Sequence, residues 1–191
     1  MKTIKIATMI ASLCLFCNVK SFANNPAVTA GKVYEIVDVS DAVDGKIIEF
    51  FFNDDKGKKQ SINKIINNKY TFLNIWGTWC PPCRAEIPDI IELQKDLKDK
   101  DFVVIGVAVE RDKANALKNV SEFAARHKMN YVNFVVPKDK IELEKKLLKG
   151  INAFPTTFIA SKSNEIFEII VGQRDKATFL KSINKLMESA Y

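Results

Sequence analysis

Residues 74–88 read NIWGTWCPPCRAEIP, and the pair Cys80 and Cys83 inside that stretch decides how the chain is read. Just before it, YTFLNIW (70–76) is an unbroken apolar, aromatic and β-branched run, the pattern of a strand buried on both faces. Just after it, residues 81–100 read as a helix. Proline is tolerated in a first helical turn, and Ile87, Ile90, Ile91, Leu93 and Leu97 supply an apolar face. Pro88 inside that helix predicts a kink. The order strand, short aromatic loop, CxxC, helix places Cys80 at a helix N-terminus, where unpaired amides and the helix dipole favour a thiolate. Cys83 falls one turn later on the same face, within reach of a disulfide.

Three uses of such a pair compete: a redox couple, half of a metal site, or an inert structural disulfide. A zinc site wants four ligands. The only histidine, His127, sits in the polar AARHKMN at the end of a predicted helix and reads as a surface or capping residue, so no metal is expected. A disulfide closing a two-residue loop constrains the unfolded chain little and stabilises little. Redox exchange is the favoured reading: one thiolate attacks a partner disulfide and the other resolves the mixed disulfide. The two prolines remove backbone donors and stiffen the loop, which tunes the poise in a direction that composition does not give.

The first residues read as a secretory signal peptide over 1–23. Lys2 and Lys5 open it, the uncharged IATMIASLCLFCNV (6–19) follows, and Ser21 and Ala23 sit where a cleavage site wants small residues. An uncleaved anchor is the alternative, but the run is short of the roughly 20 residues a spanning helix needs. CLFC (Cys14 and Cys17) is formally a second CxxC. Within the apolar core of a signal it reads as small hydrophobes removed with the peptide. Leu13 and Phe16 precede these cysteines, against a lipid anchor. The expected location is therefore exported, periplasmic or otherwise extracytoplasmic, without stable membrane insertion after cleavage, where disulfides persist.

At 191 residues, 47% hydrophobic and 27% charged, the chain suits one globular domain. Of its net charge of +6, three units come from Lys2, Lys5 and Lys20. The other lysines are interspersed with acids, as in DDKGKK and KDLKDKD, which excludes a nucleic-acid stripe. Residues 24–46 read as a leader whose KVYEIVDV adds a strand, and the domain proper is placed at 47–191. Strands are expected at IIEFFF (47–52), closed by the NDDKGK turn, at FVVIGVAV (102–109) and at NFVVP (133–137). TTFIA and IFEIIVG are expected to pair antiparallel around SKSNE. Helices are expected at about 113–128, 139–149 and 176–188. The alternation argues an α/β fold, a central sheet with helices on both faces.

FLNIWGTWCPPCRAEIP, with AFPTTFI further on, resembles the TlpA/ResA branch of extracytoplasmic thioredoxin-like proteins over roughly residues 47–187. The resemblance implies a thioredoxin-like fold, a central mixed sheet flanked by helices, with a strand-helix insertion after the active-site helix at about 102–136. It implies that Cys80 attacks, Cys83 resolves and Trp79 packs against the site. It also implies that Pro155 is a cis proline opposite the disulfide, in a loop whose backbone pairs with an extended client. The client-facing surface is then Trp79, Pro81, Pro82, Phe154, Pro155 and Thr156. Phe154 departs from the smaller aliphatic residue usual in the branch and would reshape the groove. Glu86, one turn after Cys83, corresponds to an active-site acid that can relay a proton. Asn74 stands where cytosolic thioredoxins carry a buried acid, so a relay must use Glu86 or water.

The activity implied is a thiol-disulfide oxidoreductase, foremost a reductase of exported proteins, apocytochrome c cysteines among them. It needs no cofactor beyond the Cys80–Cys83 disulfide. Its partners are client disulfides or thiols and an upstream membrane or exported electron donor. An oxidase or isomerase role is the alternative, as is a copper chaperone on the same fold. The two-residue gap and the position of His127 argue against copper. The adjacent resolving cysteine argues against a thiol peroxidase.

Overall fold

Apolar runs bounded by turn residues organise the chain into one eight-stranded mixed sheet. The computed structural model describes residues 28–189, and the predicted signal peptide with its CLFC pair lies outside the described residues. The strands are β1 (Val33–Val39), β2 (Phe50–Asn53), β3 (Lys59–Ser61), β4 (Tyr70–Trp76), β5 (Phe102–Ala108), β6 (Val132–Val135), β7 (Thr156–Ala160) and β8 (Ile166–Val171). The helices are α1 (Asn63–Ile66), α2 (Pro81–Leu97), α3 (Ala116–Arg126), α4 (Ile141–Leu147) and α5 (Lys176–Ser189).

The sheet order is β3-β2-β1-β6-β5-β4-β7-β8. Strands β1, β6, β5 and β4 run parallel to one another, and both flanks are antiparallel. All seven residues of β4 are buried, as its unbroken apolar run requires. The unit β5-α3-β6 follows the α2 helix, where the insertion was expected. Its strands are interior: β5 pairs with β4, and β6 lies between β5 and β1.

Two apolar clusters sandwich the sheet. Phe72, Trp76, Ile87, Ile90, Leu93, Phe179 and Ile183 pack with both cysteines on one face. Phe50, Phe52, Leu73, Ile75, Ile105, Val107 and Phe134 fill the other. Each large side chain buried this way contributes about 1.5–3 kcal/mol.

Several element boundaries differ from expectation, each for a local reason. KVYEIVDV is an interior strand, pairing with both β2 and β6, so the sheet begins well before residue 47. The IIEFFF strand starts only at Phe50. Ile47 instead exchanges hydrogen bonds with Asn164 in the β7–β8 turn, its N–H donating to the Asn164 carbonyl at 3.4 Å and its carbonyl accepting from Asn164 Nδ2 at 3.3 Å. The helix expected from Lys113 opens as a 3₁₀ turn over Lys113–Asn115 capped by Asp112, and α3 ends before Lys128, which has φ 53°. The charged helix shrinks to Ile141–Leu147, stopped ahead of Gly150 with φ 83°. Strand β3 and the single turn α1, not anticipated from the pattern, fold Ile62, Ile65 and Ile66 under the second cluster. Helix α2 continues through Pro88.

A polar row crosses this otherwise apolar sheet. Thr157, Asn74, Gly106 and Asn133 are successive partners on β7, β4, β5 and β6. Gly106 has no alternative there, because a Cβ would lie 2.0 Å from Asn133 Oδ1. That oxygen accepts from Trp76 Nε1 at 3.1 Å, and so holds the last residue of β4 before the CPPC loop.

Candidate active site

Strand β4 delivers the chain into the loop Gly77–Thr78–Trp79. At Gly77 a Cβ would meet Trp79 Nε1 at 2.6 Å and the Val109 carbonyl at 2.8 Å, so only glycine lets Trp79 fold back. Trp79 Nε1 then donates to the Val109 carbonyl at 2.8 Å. The buried Glu110 holds the same loop: one carboxylate oxygen accepts the Thr78 N–H at 2.8 Å and the other accepts its hydroxyl at 2.7 Å. A glutamine could accept only one of these bonds. Glu110→Gln is therefore expected to cost about 1–2 kcal/mol and lower Tm by about 3–6 °C. Calorimetry on the oxidised protein checks this, and an unchanged Tm would remove the clamp.

Cys80 adopts extended backbone, φ −94° and ψ 107°, and is the N-cap of α2. Pro81 and Pro82 fill the first two helical positions and carry no N–H. The first free amide of the helix is thus Cys83 N–H, which donates to Cys80 Sγ at 3.3 Å. The Arg84 N–H donates to the Cys80 carbonyl at 3.1 Å. The two cysteines form a disulfide with S–S 2.08 Å and Cα–Cα 5.3 Å. Cys80 is 3% exposed and Cys83 fully buried, so what exposure the pair has belongs to Cys80.

Glu86 is fully buried one turn below Cys83. Its Oε1 accepts from Asn74 Nδ2 at 2.8 Å, and Asn74 also donates to Thr157 Oγ1 at 3.0 Å. Its Oε2 accepts the Arg174 N–H at 3.3 Å. Burial drives the carboxyl from 4.5 up to about 7, against the downward pull of the Asn74 and Arg174 hydrogen bonds and the Arg174 charge. Tyr131 is buried on the same side of the sheet with no hydrogen-bond partner for its hydroxyl. Burial, helped by the Glu86 charge, holds its phenol well above the ordinary range.

The loop before β7 forms the facing wall. Ile75 pairs with Thr156, so the cis Phe154–Pro155 bond lies just past the β4 end that leads to the cysteines. The Phe154 ring meets Trp79 edge-on, with centroids 5.6 Å apart. Among the described residues, neither the N–H nor the C=O of Phe154 has a hydrogen-bond partner. The Pro155 carbonyl is already taken by Gly172 N–H at 2.8 Å.

The predicted residues therefore converge, with one adjustment. Trp79, Cys80, Cys83, Phe154 and Pro155 meet, while Pro81 and Pro82 are exposed beside them. Thr156 is buried and its hydroxyl donates to the Ala153 carbonyl at 2.8 Å. It braces the loop from beneath and is not part of the exposed surface beside the disulfide. His127 caps α3 exposed, its ring stacked on Phe123. Sequence reasoning missed Glu110, Arg111, Thr157 and Arg174. For Glu110 a signal existed: it is the first charged residue after the apolar β5 run, and the carboxyl ends of parallel strands are where such folds build sites.

The Redoxin family model matches residues 26–185. The chain belongs to the Redoxin family. Thiol-disulfide oxidoreductase ResA of Bacillus anthracis is 34% identical over 131 residues, covering 66% of this chain and 68% of that protein. ResA of Geobacillus thermodenitrificans is 27% identical over 176 residues, covering 92% and 88%. Among solved structures, a thioredoxin-family thiol:disulfide interchange protein of Chlorobium tepidum matches with TM-score 0.61 and 29% identity, covering 78% of this chain and 99% of that one. This Redoxin member is a thiol-disulfide oxidoreductase of the thioredoxin fold, and the ResA likeness inferred from the CPPC and PTTF motifs holds.

Proposed function

We propose that this Redoxin member reduces disulfides of exported client proteins, with Cys80 as nucleophile and Cys83 as resolving thiol. The carrying observation is Cys80 at the N-cap of α2, its sulfur receiving the Cys83 amide, beside the unpaired peptide groups of Phe154. In the reduced protein the Cys80 thiolate attacks a client disulfide. The client S–S bond breaks, one client sulfur leaves as a thiolate and takes a proton, and a mixed disulfide forms. Cys83 then attacks Cys80 Sγ, which releases the second client thiol and closes Cys80–Cys83. Two electrons and two protons pass to the client. Glu86, buried one turn after Cys83, takes the Cys83 proton as that thiol becomes the attacking thiolate, a role supported by a group titrating near 7.

The prolines support reduction as the direction. They leave one helix amide for the Cys80 thiolate where other dipeptides offer more. A less stabilised dithiol state is a stronger reductant, the converse of strongly oxidising relatives whose reduced form is stabilised. Export rests on the signal-like residues 1–23, and apocytochrome c cysteines are one client class. An upstream exported or membrane dithiol would regenerate the reduced form.

The test is insulin reduction by the dithiol form of the protein. Two electrons per chain should be delivered, with free B chain precipitating and a potential nearer about −270 mV than about −120 mV. Failure to cleave insulin or any model disulfide would refute the activity. A potential near the oxidising end would reverse the direction.

A further inference from the structure

The chain has 25 lysines and only four arginines, at 84, 111, 126 and 174. The eight ion pairs seen among the described residues all use lysine. Three of the four arginines lie on segments that meet at the active-site loop. Arg84 directly follows Cys83 and is exposed beside Pro81 and Pro82. The exposed Arg111 lays its guanidinium 3.9 Å from the centre of the Trp79 ring. Arg174 is exposed two residues after Gly172, which binds the Pro155 carbonyl. Its side chain donates to the Gln173 carbonyl at 2.7 Å.

The acids around this rim are largely committed to the fold. Asp112 caps the 3₁₀ turn, accepting the Asn115 N–H at 3.3 Å and its side-chain amide at 2.9 Å. Asp175 accepts the Thr178 N–H at 2.9 Å at the start of α5. Glu86 and Glu110 are buried on internal donors, and Asp89 is half-buried. None of these three arginines is in an ion pair among the described residues, and Arg111 lies directly on Trp79, which meets Phe154. Arginine differs from lysine in binding carboxylates through two parallel bonds and in stacking on rings. Arginine and large aromatics also dominate the energetic centres of protein interfaces.

We propose that this rim selects extended client segments carrying carboxylates close to the cysteine, so that the preferred client is an acidic peptide stretch. The inference rests on the oxidoreductase reading above and names the client chemistry of the same site. Phe154 pairs with the client backbone, while Arg84, Arg111 and Arg174 read its flanks.

The test uses three disulfide-linked peptides alike except for aspartate, serine or lysine beside the cysteine. Each rate is divided by the rate of the same peptide with dithiothreitol, which removes intrinsic reactivity. At low salt the aspartate peptide should react about tenfold faster than the serine peptide, with lysine slowest. The order should collapse near 1 M salt, where screening acts over about 3 Å. The combined variant Arg84→Gln, Arg111→Gln and Arg174→Gln should bring the aspartate-to-serine ratio close to one. Arg126→Gln removes one arginine at the last turn of α3, which runs back from the disulfide end of the sheet, and should leave the ratio unchanged, whereas each of the three rim arginines replaced singly should lower it. Reduction of the serine peptide without a charge order, or equal ratios in the triple and Arg126→Gln variants, would overturn the inference and leave the activity standing. If no peptide is reduced, the oxidoreductase reading itself fails.

Discussion

Replacing Cys83 with alanine is expected to bring catalytic disulfide turnover down to background while leaving Cys80 linked to its client. Cys83 is fully buried one helical turn from Cys80, its Sγ already within bonding distance, so intramolecular resolution outruns capture by external thiols. Without it, the mixed disulfide lacks its built-in exit. Cys80→Ala should be equally inactive but should form no adduct, because the remaining thiol lies beneath the surface. The adduct is read by non-reducing mass spectrometry, which also names the client. Residual turnover in Cys83→Ala near the wild-type rate, or an equal adduct yield in both variants, would contradict the assigned division between attacking and resolving thiols.

Glu86→Gln is expected to remove most of a pH dependence worth on the order of 3 kcal/mol. Burial raises the Glu86 carboxyl from 4.5 to about 7, so between those values the folded chain keeps a proton that the unfolded chain has released. That contribution is fully present below about pH 4.5 and is lost as pH rises through about 7, at 1.36 kcal/mol per unit of displacement. The oxidised protein should therefore unfold at lower denaturant concentration at pH 8 than at pH 5, and Glu86→Gln should flatten the difference. In the reduced wild type the rate of client reduction should carry an inflection near pH 7 that the variant lacks. An undiminished pH slope in the variant would assign the titration to another group.

Asn74 shows where sequence reading stopped short. Its position marks the absence of the usual buried acid and leaves Glu86 or water as the relay, but nothing local indicates how Asn74 and Glu86 meet. The fold supplies the answer across strands: Asn74 donates to Glu86 and to Thr157, so the amide orients a buried carboxyl contributed by α2. Thr157 is 83 residues away in sequence, and only the β4–β7 register brings it alongside. Glu110 is similar. Its two bonds to Thr78 span 32 residues and depend on β5 running parallel beside β4. Boundary differences have a related origin. Ile47 to Glu49 carry strand-like residues, yet the backbone of Ile47 is held by Asn164, a tertiary partner that overrides propensity.

The local pattern determined the reacting pair and its setting. A buried strand, a short aromatic turn and two cysteines spaced one turn apart leave little freedom, because strand burial, proline at helix starts and helical periodicity all act within a few residues. PTTF was legible only through the family resemblance, which also carried the expectation of a cis Pro155. What only the tertiary structure decided is the environment of that pair: the burial that holds Glu86 near 7, the Glu110 clamp on Thr78, the Phe154 ring against Trp79, and the Arg111 guanidinium over the same Trp79. These are contacts between residues far apart in the chain. Their geometry is set by strand order and register, which emerge only when the whole apolar core closes.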